Sequence, residues 1–385
     1  MGTQLKYMPI FRGRQEEFKV LKSFDFGDRI FPCLEIIKEL DRVRTSKEKV
    51  SYQISLFQQR KGKTFESVYI PLIKNIKANK VFIDLPVHLK QKRDMKEPTL
   101  RFLRTVVTKR EKRTEYLLKL KPIASKVIPI ISSYIRISGE MDSISLQEQE
   151  IRPHFETLAF RTFIGTFPQD IIQIKKSAKP DDFLIVDLES NELDKSDGDI
   201  QDIIKELKNI SCNTIIHRNQ IPQETTMVGL KHCEMIDTID NSLPYVFNEF
   251  DGDCFSDYVG IRKDNVTDGG VKSPGFIFYD AVINNFFGYR YKHGGHKKGE
   301  QPPELSEFET TIIPAVVDSH TSKRMESDAL DYLGVENKGW EIIKNIQLGE
   351  RNGGESGKSP AKFKRISMEH YLHCMKIKIA NGDFD

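Results

Sequence analysis

Residues 182–189 set the terms on which this chain can fold. Phe183, Leu184, Ile185 and Val186 form an unbroken apolar run, followed by Asp187 and, one residue further, Glu189. Such a run reads as a strand buried on both faces, and side chains alternate along a strand, so Asp187 and Glu189 are expected on one side. The same design, an apolar strand ending in charge, recurs along the first two thirds of the sequence.

Seven further segments repeat it. Residues 7–11 lead into Arg12, 30–36 carry Glu35, 80–86 carry Asp84, and 126–132 hold the apolar run 127–131, which ends on Ser132 rather than on a charge. Residues 157–163 carry Arg161, 213–218 end on His217 and Arg218, and 254–260 hold Asp257 at their centre. Between them lie helix-capable stretches, marked by Phe18 and Leu21, by Leu72, Ile73 and Ile76, and by residues 200–210. Parallel strands need crossover connections, usually helices, so the pattern is an α/β domain. Eight units before residue 265 fit a (β/α)8 TIM-barrel-like domain over residues 1–265. An open doubly wound sheet is the competing architecture. Its glycine-rich first turn is missing, since Arg12-Gly13-Arg14 follows the first strand.

Residues 266–385 read as a C-terminal α+β extension packed on the barrel. Residues 276–283 and 286–292 flank Asn284-Asn285, a hairpin signal because asparagine tolerates the positive φ of a tight turn. Short helices are expected at 328–333 and 340–346, with Trp340 anchoring the extension, and a Gly/Ser/Lys-rich loop over 349–364.

Charge argues only locally. Lys and Arg total 59 against 56 Asp and Glu, a net charge of +3, which selects neither nucleic acid nor membrane as a partner. Residues 90–121 are the basic exception. Leu100, Leu103, Val106 and Val107 give them an apolar stripe, so they read as one amphipathic helix with a solvated outer face, nucleic-acid binding being the alternative. The 5 cysteines are scattered without a CxxC pair, which points to reduced thiols, with Cys33 in the core. The opening residues lack the apolar segment of a secretion signal, and no run of apolar residues is long enough to span a membrane. A soluble cytoplasmic protein is expected.

In a barrel, strand C-termini form the face where such folds keep their sites. Arg12, Glu35, Asp84, Arg161, Asp187, Glu189, Arg218 and Asp257 would then surround one mouth. Read functionally, Glu35, Asp84, Asp187, Glu189 and Asp257 are candidate catalytic carboxylates, with Asp187 and Glu189 as ligands for Mg2+ or Mn2+. Arg12, Arg161 and Arg218 would clamp a phosphate or carboxylate. Read structurally, the same residues are a ring of ion pairs. His217 is expected to point toward the helix layer. His293 with His296, and His370 with His373, are weaker metal candidates.

The segments Tyr7-Met8-Pro9-Ile10-Phe11-Arg12-Gly13 and Ile30-Phe31-Pro32-Cys33-Leu34-Glu35 resemble the opening of the phage-type "beta protein" family. Leu158 to Arg161, Leu184 to Leu188, Ser256 to Gly260, and the Trp340 region followed by His370 and His373 are similar to its later motifs. The resemblance implies that Glu17, Glu35, Arg161, Asp187 and Asp257 fall at recurrent family positions. It also implies a bacterial or phage protein found near mobile-element and antiviral defence genes. Residues 217–222 and the separated tail histidines depart from the family pattern. Three functions follow as expectations. One is an antiviral-defence component that binds a phosphate-bearing anion or nucleotide at the mouth, in its enzymatic form a metal-assisted phosphoester hydrolase. The others are a sensor or adaptor with a protein partner encoded nearby, contacting it through the 276–292 hairpin, and a nucleic-acid binder.

Overall fold

A computed structural model describes residues 5–40, 63–89, 95–227, 229–262, 275–290, 305–349 and 356–385. Eight parallel strands close into a barrel in chain order. They are β1 Tyr7–Arg12, β2 Cys33–Glu35, β3 Val81–Asp84, β4 Val127–Ser132, β5 Ala159–Phe163, β6 Phe183–Asp187, β7 Asn213–His217 and β8 Cys254–Asp257. This is the TIM-barrel-like architecture expected from the sequence, each strand falling within its expected segment.

Both faces of every strand are covered, which is why the strands read as unbroken apolar runs. Met8, Cys33, Phe82, Ile130, Ile185 and Ile215 fill the barrel interior. Phe11, Leu34, Ile83, Phe160, Leu184 and Ile216 alternate with that set and pack outward under the helices. Each fully buried side chain of this kind contributes about 1.5–3 kcal/mol, so the two layers contribute strongly to holding the barrel closed.

Helices α1 Gln15–Ser23 and α2 Phe65–Lys74 follow β1 and β2. The expected single helix over 90–121 is two, α3 Glu97–Thr108 and α4 Arg110–Leu118, broken where Lys109 takes an extended backbone (φ −130, ψ 100). Nor is its charge all solvated, since Arg110 and Arg113 are buried. Helices α5 Ser143–Ile151, α6 Phe167–Ser177 and α7 Gly198–Leu207 follow β4, β5 and β6.

The C-terminal hairpin is β9 Gly275–Asp280 with β10 Asn285–Arg290, extended by Glu234–Met235 from the connection before β8. Asn284 takes the predicted positive φ (56°), but the connection is four residues, 281–284, because the pairing ends at Asp280 and Asn285. Strand β9 is buried throughout, β10 is partly exposed, and Val282 and Ile283 in the connection are exposed. Trp340 is buried on helix α8 Lys338–Gln347 beside Phe278. Residues 328–333 form turns rather than a helix.

The expected loop over 349–364 contains the start of the longest helix, α9 Pro360–Asn381. It runs antiparallel to the barrel strands. Its Tyr371 hydroxyl donates to Asp257 Oδ2 at the end of β8 (2.7 Å), and near its C-terminus Ile379 O accepts from Arg29 and Phe384 O from Lys6, just before β1. Packed beside α1, it completes the helical ring between β8 and β1. Gly260 makes this approach possible: its φ is +62°, and a Cβ there would fall 2.6 Å from Tyr371 Cγ. Residues on both sides of position 265 contribute to one hydrophobic cluster, from Phe11 and Leu184 to Phe278, Trp340 and Tyr371. No described helix is long and apolar enough to cross a membrane.

Candidate functional site

The apolar filling of the barrel gives way to charge in its last layer, at the C-terminal ends of the strands. Register brings Arg12 beside Glu35, Glu35 beside Asp84, and Asp187 beside His217. The parity that points Cys33 and Phe82 inward also points Glu35 and Asp84 inward.

Arg161 sits at the centre. Its Nη1 donates to Glu35 Oε1 (3.0 Å) and Asp84 Oδ2 (2.8 Å), while Nε and Nη2 both reach Asp187 Oδ2 (3.1 and 2.7 Å). Arg12 Nε donates to Glu35 Oε2 (3.1 Å), and Tyr258 OH donates to Glu35 Oε1 (3.0 Å). Arg113 enters from α4 and donates to Asp84 Oδ1 (2.9 Å), Gln147 Oε1 and the carbonyls of Leu85 and Ile130. Burial works against the Arg161 charge, yet Asp187, Tyr258, Asp84 and Glu35 together hold its proton well above the ordinary arginine range. Arg12 is likewise raised, burial being outweighed by Glu35, Tyr258 and Glu17.

All six charged side chains of this layer are buried. By formal charge, three carboxylates (Glu35, Asp84, Asp187) face three guanidiniums (Arg12, Arg113, Arg161), so the layer is neutral as a whole. That is the condition under which buried charge is tolerated.

Of the remaining sequence candidates, three lie elsewhere. Glu189 is exposed: β6 ends at Asp187, and Glu189 takes a positive φ (55°) while its N–H donates to Asp187 Oδ1 (2.8 Å), so the two carboxylates do not share a side. Asp257 is the last residue of β8, not its centre, and faces the helix layer, accepting from Tyr7, Tyr371, Gln220 and the Val259 N–H. Arg218 lies past β7 and is held by Asn191 O and Asp240. His217 moves the other way. It lies in the barrel interior rather than the helix layer, its Nδ1 3.0 Å from Ser256 Oγ and its Nε2 3.9 Å from Asp187 Oδ1. Ser256 donates its own proton to Met8 O (2.7 Å), leaving its oxygen to accept from His217 Nδ1–H.

The C-terminal histidines have separate roles. His370 is buried between Asn337 and the Tyr279 carbonyl, stacked on Phe278 at 4.2 Å, and burial lowers it to about 3. His373 is lowered by burial too, though less. His293 and His296 lie outside the described residues.

Above the neutral layer the mouth gains basic groups that strand-end reasoning missed. Arg14 follows β1, Arg262 follows β8, and Lys364 lies in the first turns of α9. Burial, with Arg14, Arg262 and Arg12 as like charges and Glu17 opposing, lowers Lys364 to about 8. Glu17, whose carboxylate accepts the Arg12 backbone N–H, is raised by burial to about 7 against the pull of Arg14 and Arg12. Only α9 brings Lys364 here, and no short-range sequence signal links positions 14, 262 and 364.

A second constellation involves His88, after β3. One ligand atom each from Glu35, Asp84 and His88 lie within 4.8 Å of one another. His88 Nε2 is 3.6 Å from Glu35 Oε1, and its ring lies 5.4 Å from that of Phe163. A cation there would share Glu35 and Asp84 with Arg161.

Fold and site together define a (β/α)8 barrel with a neutral ionic layer closing its interior and basic groups above it. The chain belongs to the Beta protein family, whose sequence profile matches residues 7–376. No curated protein and no solved structure matches it.

Proposed function

We propose that the barrel mouth binds a phosphate-bearing anion. The observation that supports this reading is the convergence of Arg14, Arg262 and Lys364, from three separate parts of the chain, with Arg14 and Lys364 close enough to act on Glu17 and Arg262 close enough to act on Lys364. The ionic layer beneath balances its own charge, and the described groups that act on Lys364 above it are mainly basic: Arg14, Arg262 and Arg12 against Glu17. A doubly charged oxyanion suits that excess, and guanidinium forks match its oxygens. Calorimetric titration with inorganic phosphate tests it. Binding should weaken as salt rises and fall by at least about tenfold in Lys364→Met or Arg262→Gln. Absence of any phosphate binding to the wild-type chain would sink the proposal.

Metal-assisted phosphoester hydrolysis is the second reading, favoured by Glu35, Asp84 and His88. The ligand pair would be Glu35 with Asp84 in place of Asp187 with Glu189, and Mg2+ or Mn2+ would supply Lewis-acid activation of a water. Charge count favours the first reading, because Arg161 already lies between those two carboxylates. Mn2+ binding lost in His88→Leu would reverse that order.

The cellular setting we propose is phage–host conflict, with the anion as signal or substrate and a protein partner encoded nearby. It rests on family membership. Plaque counts on cells carrying the wild-type locus or a Lys364→Met version check it, and equal counts with and without the wild-type locus would remove it.

A further inference from the structure

The opening of the barrel is lopsided in chemistry. Arg12 and Arg14 stand on the β1 side, while Phe163 ends β5, four strands away in either direction around the closed ring. Phe163 follows the inward parity of Arg161, one inward position further along β5, and pairs in register with Asp187. Its ring lies 5.6 Å from the Arg161 guanidinium and 5.4 Å from the His88 ring, inclined at 52°. The charged layer is buried, but Phe163 is partly exposed and the His88 side chain is 12% exposed. The fold therefore sets a pair of aromatic rings at the rim and leaves part of their surface uncovered, with Phe163 across the ring from β1 and His88 after β3 between them.

We infer that the ligand is a nucleotide, its phosphate on the Arg14, Arg262 and Lys364 side and its base against Phe163 and His88. This rests on the anion reading above and adds a planar ring to it. An aromatic platform facing a basic groove is how proteins hold a base and its phosphate together without reading sequence. Aromatic faces accept any base, so base identity is expected to matter little.

Comparison of adenosine 5′-monophosphate with ribose 5-phosphate, which carries the same phosphate and sugar but no base, tests the inference by calorimetry. The nucleotide should bind at least about tenfold more tightly. Phe163→Leu, which keeps an apolar side chain but removes the ring, should abolish that advantage and leave ribose 5-phosphate affinity unchanged. His88→Leu should reduce it in part. Equal binding of the two ligands by the wild-type chain would overturn the nucleotide assignment and leave the anion site standing. Equal losses for both ligands in Phe163→Leu would also overturn it, because the ring would then act on the fold rather than on a base. Failure of both ligands to bind would remove both proposals.

Discussion

Arg113 Nη2 lies 2.9 Å from Asp84 Oδ1, joining a helix of the outer layer to a strand end inside the barrel. Asp84 gives its other oxygen to Arg161, so one carboxylate ties the central guanidinium to a second one that arrives from outside. Removing one member of a buried pair leaves an uncompensated charge. Arg113→Met should therefore destabilise by about 3–5 kcal/mol in urea unfolding. A double-mutant cycle with Asp84→Asn should give a coupling of about 1–3 kcal/mol. Additive effects would show that the two side chains do not act as a pair.

Glu189 offers the opposite sign. It is exposed and holds a left-handed backbone that an L side chain enters at a cost. Glu189→Gly should stabilise the protein by about 0.5–1 kcal/mol, read as a raised thermal midpoint, without weakening phosphate binding. A stability loss would mean that the carboxylate makes a contact the fold depends on.

His370 makes stability depend on pH. Burial lowers its folded-state value to about 3, from an ordinary 6.5. Between those values the unfolded chain binds the extra proton, so stability rises with pH across the window and is lost as pH falls below 6.5. From pH 7 to pH 5 the loss attributable to this group is about 2 kcal/mol. The difference in urea midpoint between those pH values should shrink in His370→Gln. An unchanged pH response would assign the effect elsewhere.

Glu17 works in the other direction. Its folded value is about 7, above the ordinary 4.5, so the folded state holds the extra proton and this group's contribution to stability falls as pH rises through that range. The same titration removes a negative charge from the mouth on the acidic side. Sulfate, whose charge is constant there, should bind more tightly at pH 6 than at pH 8, by up to about tenfold. Deprotonation of Lys364, at about 8, reinforces the decline. Glu17→Gln should flatten the part below pH 7.5 and bind sulfate more tightly at pH 8 than the wild type. A flat wild-type profile would contradict the placement of Glu17 among the binding groups.

The barrel was legible because its strands are buried on both faces, and eight apolar runs, seven of them carrying charge at or near their ends, have few other ways to pack. Glu35, Asp84, Arg161 and Asp187 could be placed at one mouth for the same reason. Failures came where alternation stops. Parity holds only while a strand lasts, so Glu189, two residues past Asp187 but beyond the end of β6, left the expected face. At β8 the inward positions are Cys254, Ser256 and Tyr258, which turns Asp257 toward α9. Arg113 was hidden because a charged residue in a basic segment reads as solvated, and only tertiary structure shows a guanidinium crossing into the barrel. Lys364 was hidden because its segment reads as a loop until Phe363 finds Phe276 and Phe308, and Tyr371 finds the hairpin and Asp257, to pack on.

The most direct test is a crystal soaked in tungstate, a doubly charged phosphate mimic whose anomalous scattering locates it. The account predicts a peak at the mouth, in contact with Arg14, Arg262 and Lys364 and above the Arg161 layer, which phosphate displaces. Saturating tungstate with no peak at the mouth, or a peak only on surface lysines away from it, would contradict the account.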